Sequence, residues 1–454
     1  MPYQSPRGTH DILPGAADPQ QDADTRLFRT YKWQAIEQCF REVCACFGAE
    51  EIRTPLFEES ALFRRSVGEN TDIVTKETYD FRDRGGDELT LRPEGTAGVL
   101  RAVVQHSLAA GQNPLVRLFY VNSHFRYERP QRGRYRQHHQ FGVEYLGAAG
   151  AAVDVEVIAL GMSYLRAIGL DDVELQINSV GTPACRPRHR AALLDYLTPY
   201  RAELSDDSQR RLDTNPLRLF DSKVQRDQEI LADAPTMLDY LDDEARSHFD
   251  AVKEGLISLG IPFVVNRRLV RGLDYYQKTA FEVVHGALGS QNVVLGGGRY
   301  DGLLAELGGP ALGGVGFGSG VERALLILEQ LGRPLGEPAM PQVYLVAKTP
   351  TEREQAQRLA MDLRAAGLRV DYDLQERSMK AQMRSADAGR CPLAVFLRDD
   401  LPPEEVRVRV MLGGASVERI EFRQSRAGLA DTVKSQLIEG VKQGLWSADL
   451  AATV

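Results

Sequence analysis

The sequence predicts an α+β protein with a mixed, mainly antiparallel sheet, flanking helices, an inserted helical domain and a C-terminal α/β domain. Three observations lead to this prediction. Before residue 335, strand-like runs cluster in hairpins. Residues 183–258 are charged and leucine-rich and have a helical pattern. After residue 341, β and α patterns alternate. Such alternation is typical of a small domain with a mostly parallel sheet.

Hydrophobic periodicity places the first elements. Residues 24–47 have a helical repeat and precede a strand broken at Pro55. Residues 88–104 predict a strand, a turn at Pro93–Gly95 and a helix. The next elements are a helix at 154–168 and a strand at 175–181.

A long hairpin with a cationic tip is predicted for residues 118–147, where strand-like runs flank Pro130 and Gly133. Guanidinium groups suit phosphate oxygens because their planar donors match them two at a time. A solvated charge run on an edge hairpin is the alternative. The tip carries five arginines: Arg126, Arg129, Arg132, Arg134 and Arg136.

After the inserted segment, strand patterns return at 261–284 and in NVVLGGGRYDGL, and GGVGFGSGVERALL runs from a glycine-rich strand into a helix. Residues 331–341 read as a linker. The predicted domains are a core in two parts (1–182 and 259–333), the inserted helical domain (183–258), the α/β domain (341–425) and an extension (426–454).

Composition limits the class of protein. The net charge of −8 argues against a general nucleic-acid coat but allows a specific RNA partner at a local basic patch. Five cysteines make no disulfide framework and no metal-ligand set is apparent. No signal core and no run of ~18 apolar residues occurs, so a cytoplasmic protein without a membrane span is expected.

Four polar residues are candidates for holding an amine-bearing substrate. Gln140 and Glu144 are four apart on a strand, so both side chains leave one face. Glu94 and Thr96 flank Gly95 at a strand-to-helix turn and together suit an ammonium group. The alternative is that Glu94 caps the helix that follows.

Three arginines are candidate anion or nucleotide contacts. Arg126 ends the first hairpin strand, Arg271 heads RGLDYY, and Arg323 follows the GFGSG segment. An arginine at such positions can stabilise phosphoryl charge or lie over a purine ring. Tyr275 and Tyr276 add two phenols, although packing alone explains either one. GGGRYDGL fails the GxGxxG spacing at Asp301 and no P-loop occurs, so ATP would need another kind of site.

These segments, in this order, resemble the class II aminoacyl-tRNA synthetases, and within them the bacterial-type histidyl-tRNA synthetases. The resemblance rests on FRYERPQRGRYRQHHQFGVE, GVGFGSGVERALL, LVRGLDYYQKTAFE, GGGRYDGL and TLRPEGTA, and it covers nearly the whole chain. It implies an antiparallel catalytic core, a C-terminal anticodon-binding domain and a homodimer.

The resemblance also implies a role for each candidate. Arg126 and Arg271 grip the α-phosphate and the substrate carboxylate, and Arg323 covers the adenine. The histidine contacts would be Glu94, Gly95, Thr96, Gln140, Glu144, Tyr275 and Tyr276. Gln131, Arg134 and Arg136 would meet the tRNA acceptor end.

The implied reaction joins L-histidine to the tRNA for histidine, with ATP as substrate and Mg²⁺ as its companion ion. A non-catalytic paralogue, acting as a regulatory subunit or as a sensor of uncharged tRNA, is the alternative. One departure from the family pattern lies near the site: His138 stands where phenylalanine is most often expected.

Overall fold

The computed structural model describes residues 3–18, 20–68, 71, 73–111, 115–271, 275–333, 335–411, 421–446 and 450. It divides into two compact units, residues 1–336 and 337–454. Among the described helices, none combines the length and apolar character needed to cross a membrane.

The first unit is built on an eight-stranded sheet of order β1-β5-β6-β11-β10-β9-β7-β8. Its two edge pairings, β1 with β5 and β7 with β8, are parallel, and the other pairings are antiparallel. The predicted mixed, mainly antiparallel sheet is therefore confirmed. Its strands are β1 Glu50–Glu51, β5 Val116–Phe125, β6 Gln137–Leu146, β7 Glu174–Ser179, β8 Val264–Val265, β9 Gln277–Val284, β10 Val293–Arg299 and β11 Gly314–Gly320.

A separate sheet of order β2-β4-β3 lies in the same unit. Its strands are β2 Phe57–Glu59, β3 Tyr79–Arg82 and β4 Glu88–Leu91. The helices of the unit are α1 Ala23–Arg26, α2 Thr30–Cys46, α3 Ser60–Val67, α4 Thr96–Gln105, α5 Ala151–Ala167, α6 Arg186–Leu197, α7 Asp206–Thr214, α8 Gln225–Ile230, α9 Asp243–Ser258, α10 Leu303–Glu306 and α11 Val321–Gln330.

The helix expected over residues 24–47 is interrupted. Arg29 has extended backbone angles (φ −120°, ψ 127°) and forms a β-bridge with Leu13, so α1 ends and α2 begins on either side of it. Leu27 and Phe28 are buried at this break. Tertiary packing of the N-terminal segment thus overrides the local helical repeat.

The β5–β6 hairpin matches its prediction, with an unbroken antiparallel register from Val116 opposite Leu146 to Phe125 opposite Gln137. Alternate β6 residues, Phe141 and Tyr145 among them, join the main core beneath α2, α5, α9 and α11. Phe40 of α2 stacks on Phe141 with ring centroids 4.6 Å apart. The intervening β6 residues face the other side of the sheet, where the candidate site lies.

The segment between β7 and β8 is helical. Its leucines form a core of their own, but Phe249, Val252 and Leu256 of α9 belong to the main core. The limits 183–258 for an inserted domain stay a prediction, and α9 is tied to the core by packing. The separate cluster contains Leu193, Leu197, Leu204, Leu212, Leu219, Ile230, Leu231 and Ala234.

The second unit is a five-stranded sheet of order β13-β12-β14-β15-β16. The first three strands are parallel, while β15 and β16 are antiparallel, so the expectation of a mostly parallel sheet is only half correct. Its elements are β12 Val343–Val346, α12 Pro350–Ala365, β13 Val370–Tyr372, α13 Met379–Ala388, β14 Leu393–Phe396, β15 Glu405–Val410, β16 Glu421–Ser425 and α14 Leu429–Lys442.

Packing explains why strand β15 and helix α14 belong to the second unit. Val406, Val408 and Val410 alternate with half-buried residues in β15 and join the core of this unit. Leu429 and Val433 of α14, in the expected extension after residue 426, are buried in the same core.

A buried ion pair joins α5 to the end of β10. The side chains of Asp154 and Arg299 are both 0% exposed and pair directly. Arg299 also donates to the carbonyl oxygens of Ala148 and Gly150 at 3.2 and 3.0 Å. This pair holds the chain just before Tyr300, which enters the candidate site.

We expect Asp154→Ala to lower the free energy of unfolding of the first unit by about 3 kcal/mol, because the buried Arg299 guanidinium loses one of its two carboxylate partners and keeps only Asp301. The measurement is urea unfolding followed by fluorescence in a Trp446→Phe background, in which Trp33 is the remaining tryptophan.

Arg201→Ala is the matched control for this ion pair. It removes an exposed pair with Asp213, and such pairs contribute little to stability. A loss in Asp154→Ala no larger than that in Arg201→Ala would contradict the expectation.

Candidate active site

A cavity of about 880 Å³ lies on the face of the large sheet opposite the main core. Arg126 of the hairpin, Arg271 before β9 and Arg323 of α11 all line it, as do His138 and Gln140 of β6. Three guanidinium groups from distant parts of the sequence therefore share one cavity. Gly318 and Gly320 of the glycine-rich strand are also part of its wall.

Backbone carbonyl groups orient two of these arginines. Arg126 Nε donates to the carbonyl oxygen of Pro93 at 2.9 Å, which ties the hairpin to the turn before α4. Arg323 donates from Nε to Gly133 O at 3.1 Å and from Nη1 to Val293 O at 2.8 Å. A carbonyl oxygen carries no full negative charge, so these hydrogen bonds do not neutralise either guanidinium group.

Arg271 has a different environment. It forms an ion pair with Glu282 of β9, and its guanidinium lies 5.5 Å from the centroid of the Tyr276 ring. Despite burial, Glu282 raises the pKa of Arg271 above its usual value. Its Nε is buried without a hydrogen-bond partner among the described residues.

The other two guanidinium groups are electrostatically disfavoured. Burial lowers the pKa of Arg126, although Glu77 and Glu94 oppose this effect. Burial and the neighbouring Arg134 and Arg126 lower the pKa of Arg323. A bound polyanion would relieve the desolvation and the mutual repulsion, so this cavity is suited to phosphate groups.

A cluster of buried carboxyl and hydroxyl groups lies beside the cavity. Thr96 Oγ1 donates to Glu144 Oε1 at 2.7 Å, and the Tyr300 hydroxyl donates to Glu144 Oε2. Glu94 accepts from the backbone N–H groups of Thr96 and Ala97 at 2.7 and 2.8 Å. Glu94 thus caps α4, as its alternative interpretation expected, and a carboxylate has further lone pairs for an ammonium group.

Burial and, to a smaller extent, the neighbouring Glu94 raise the pKa of Glu144 to about 8, against the hydrogen bonds from Tyr300 and Thr96. Glu144 is therefore largely protonated at neutral pH in this conformation. A ligand that donates a hydrogen bond or carries positive charge would favour the carboxylate form.

Aromatic rings surround this cluster. Tyr275 lies 4.7 Å from Tyr276 and 5.6 Å from Tyr300 between ring centroids. Tyr120 of β5 passes over Gly95 and Gly142, where added Cβ atoms would come within 2.3 and 2.0 Å of its ring. Gly95 is required here by the close approach of that ring.

The three loop candidates lie at the hairpin tip. Gln131 and Arg134 form a β-bridge, and Arg134 pairs with Glu128. Arg136 lies over the Tyr127 ring at 4.2 Å from its centroid. Arg134 lines the cavity, whereas Gln131 and Arg136 are not among its lining residues.

The sequence-based candidates thus form two adjacent groups, linked by Arg126 at the Pro93–Gly95 turn and by Arg271 over Tyr276. Three contributors were not assigned a role from sequence: Tyr120, Glu282 and Tyr300. Tyr120 shares the strand-face periodicity of Gln140, which is a usable signal. Residues 272–274 of RGLDYY lie outside the described residues.

A resident metal has no evident site in the described ranges, because they contain no group of three or more His, Cys, Asp or Glu side chains that could hold an ion. All five cysteines are free.

Two family models match the chain. One described as Histidyl-tRNA synthetase matches residues 23–324, and one described as Anticodon binding domain matches residues 342–434.

Full-length relatives give the same result. A Histidine--tRNA ligase from Caldanaerobacter subterraneus is 44% identical, over 92% of this chain and 97% of its own length. One from Cyanothece sp. is 49% identical, over 87% of this chain and 89% of its own. The solved structure of apo histidyl-tRNA synthetase from S. aureus matches with a TM-score of 0.77 at 34% identity, covering 95% and 99% of the two chains.

The raised pKa of Glu144 gives a prediction about stability. Between its ordinary value of 4.5 and about 8, the folded protein binds a proton that the unfolded chain releases. The associated stability is present below pH 4.5 and is lost as pH rises towards 8. The stability of the wild type relative to Glu144→Gln should therefore fall by up to about 1.4 kcal/mol per pH unit.

Urea unfolding of both proteins at several pH values across this window measures the difference. A difference that stays constant with pH would show that Glu144 titrates normally.

Proposed function

This chain belongs to the histidyl-tRNA synthetase family, and we infer that it attaches L-histidine to its cognate tRNA through a histidyl-adenylate intermediate. The observation that carries the inference is the shared cavity of Arg126, Arg271 and Arg323 beside a buried carboxyl cluster. A non-catalytic paralogue would not need to keep three guanidinium groups in one cavity, so that alternative is not favoured.

The reaction has two steps. A carboxylate oxygen of histidine attacks the α-phosphorus of ATP, which forms histidyl-adenylate and releases pyrophosphate. A ribose hydroxyl of the terminal tRNA adenosine then attacks the activated carbonyl and releases AMP. Since no protein nucleophile takes part, catalysis depends on holding reactants in line, which is worth ~7–11 kcal/mol, and on stabilising the developing charge.

ATP would occupy the arginine-lined cavity. Arg126 and Arg271 would grip the α-phosphate and the carboxylate of histidine, and Arg323 would lie over the adenine. Burial of these groups supports the assignment, because their interactions with a phosphate gain strength where water is excluded. Mg²⁺ would arrive with ATP as part of the substrate.

Histidine would occupy the adjacent cluster. Its α-ammonium group would contact Glu94, Thr96 and Gln140 next to the Gly95 turn. Its imidazole ring would meet Glu144, Tyr275 and Tyr276. An amino acid without ring nitrogens would offer no hydrogen bond to these buried groups, and sites built to bond a polar group of the substrate discriminate by ~10⁴ or more.

The tRNA would contact two regions. Gln131, Arg134 and Arg136 at the hairpin tip would meet the acceptor end through phosphate contacts that weaken with salt. Residues 341–425 would read unpaired anticodon bases, which the match to an anticodon-binding family supports. Residues 183–258 would act as an inserted domain between the two core parts, 1–182 and 259–333, and residues 426–454 would extend the C-terminal domain.

We also propose a cytoplasmic homodimer. Three large apolar side chains on or next to the small sheet are exposed to solvent: Leu56 (50%), Phe57 (49%) and Phe81 (42%). They form an apolar surface that a second copy of the chain would cover. Free cysteines agree with a reducing compartment.

Sedimentation equilibrium of the wild type should give the mass of two chains. Phe57→Lys should lower the measured mass towards that of one chain, because it places a charge on the apolar surface. A wild-type monomer would refute the dimer.

Histidine-dependent ATP–pyrophosphate exchange tests the function. The wild type should catalyse it, and Arg271→Ala should slow it by about 10²–10³-fold, because charge on the α-phosphate loses its partner. Arg267→Ala, an exposed arginine of the same segment paired with Asp239, should remain close to the wild type.

A wild-type protein that binds tRNA but never exchanges pyrophosphate would favour the sensor alternative. Unchanged exchange in Arg271→Ala would refute the role of that residue alone.

A further inference from the structure

The N-terminal segment packs against residues 130–136 at the tip of the β5–β6 hairpin, termed the hairpin loop. Residues 6–9 form a tight turn, because the backbone N–H and the hydroxyl of Thr9 both donate to the carbonyl oxygen of Pro6, at 3.0 and 2.7 Å. Gly8 is the third residue of this turn and has a φ of 84°, which favours glycine. The turn thereby fixes where the Gly8 carbonyl oxygen lies.

The Gly8 carbonyl oxygen holds the hairpin where its loop returns to the sheet. It accepts hydrogen bonds from the backbone N–H groups of Arg136 and Gln137, at 2.8 and 3.2 Å. A Cβ atom on residue 8 would lie 2.8 Å from Cγ of Pro130 and 2.9 Å from Cγ of Arg136. These atoms lie close to the main chain, so they could not make room unless the backbone of the hairpin loop moved. Close packing as well as φ therefore requires glycine here.

An aromatic stack makes a second contact between this segment and the hairpin loop. The His10 ring stacks on the Phe28 ring with centroids 4.4 Å apart, and it meets the Tyr135 ring edge-on with centroids 4.8 Å apart. Tyr135 is buried and lines the cavity. Leu13 anchors the segment, since its N–H donates to the carbonyl oxygen of Phe28 at 3.0 Å. The N-terminal segment thus links the break between α1 and α2 to the hairpin loop.

The hairpin loop in turn holds two arginines of the cavity. The carbonyl oxygen of Arg136 accepts a hydrogen bond from the backbone N–H of Arg126 at 2.8 Å. The carbonyl oxygen of Gly133 accepts one from Nε of Arg323 at 3.1 Å. Gly133 and Arg134 also line the cavity. A shift of the hairpin loop would therefore move both carbonyl groups that hold these arginines.

We propose that Gly8 and His10 are positioning residues for the nucleotide. They hold the hairpin loop in the place from which its carbonyl groups orient Arg126 and Arg323 towards ATP. The inference rests on the proposed function, in which these arginines bind ATP. Neither Gly8 nor His10 lines the cavity, so both act through the loop. The hydrogen bonds within the Glu144 cluster come from other segments, so histidine binding should depend on the loop far less.

The test compares Gly8→Ala with the wild type in histidine-dependent ATP–pyrophosphate exchange. The KM for ATP should rise by roughly tenfold, as expected when one hydrogen-bonded contact to a charged group is misplaced, while the KM for histidine should change by less than about twofold. His10→Ala removes the aromatic stack without straining the backbone. It should raise the KM for ATP by about threefold.

Gly15→Ala is the matched control. Gly15 lies in the same N-terminal segment and also has a positive φ, of 81°, but apart from its chain neighbours no atom lies within 4 Å of the place where its Cβ would be. The substitution therefore strains the backbone in a similar way without touching the hairpin loop. Both KM values of Gly15→Ala should stay within about twofold of the wild type.

Hydrogen–deuterium exchange followed by mass spectrometry tests the position of the hairpin loop independently of activity. Deuterium uptake in peptides that cover residues 126–140 should be faster in Gly8→Ala than in the wild type, because the N–H groups of Arg136 and Gln137 lose their acceptor. Uptake in the same peptides should be unchanged in Gly15→Ala.

The proposal is overturned if Gly8→Ala leaves the KM for ATP unchanged, raises both KM values equally, or matches Gly15→Ala in deuterium uptake over residues 126–140. If Gly8→Ala does not fold, His10→Ala decides, and an unchanged KM for ATP in that variant overturns the proposal. Absence of pyrophosphate exchange in the wild type would instead refute the proposed function, whereas faster deuterium uptake in Gly8→Ala would still support the positioning of the loop.

Discussion

The register of the β5–β6 hairpin is the constraint on which the site depends. Because side chains alternate along a strand, one register places Phe141 and Tyr145 in the helical core and Gln140 and Glu144 in the cleft. A slip of one residue would exchange these two sets. The aromatic core therefore positions the polar site, since burial of Phe141 against Phe40 is possible in this register alone.

Gathering like charges is the main electrostatic cost of the site. Burial and mutual repulsion disfavour the charged forms of Arg126 and Arg323. Carbonyl oxygens accept hydrogen bonds from both groups, and nearby carboxylates offset only part of the effect. Arg271, by contrast, has Glu282 as a partner. Arg126 and Arg323 are thus available to an anionic ligand. Arg271 would bind such a ligand while it also pairs with Glu282.

In the carboxyl cluster of the site, by contrast, burial keeps the main carboxyl group mostly uncharged. Glu144 is kept largely neutral by burial, with Thr96 and Tyr300 as its donors. Tyr300 in turn depends on the buried Asp154–Arg299 pair beside it. A charge network deep in the core thereby fixes the position of a hydroxyl group in the cleft.

Local sequence patterns predicted much of the fold and many of the candidate residues. Alternation predicted the hairpin, and the TLRPEGTA, RGLDYY and GVGFGSGVERALL segments pointed to most candidate residues. Sequence did not reveal the interruption of the first helix at Arg29 or the antiparallel strands β15 and β16, because long-range packing decided both.

The roles of Tyr120 and Tyr300 could not be read from neighbours in sequence either, since their partners are distant along the chain. The chain by itself determined which residue types face the cleft, through periods of two and 3.6 residues. The tertiary structure alone decided which distant groups meet, because burial and charge compensation depend on the whole fold.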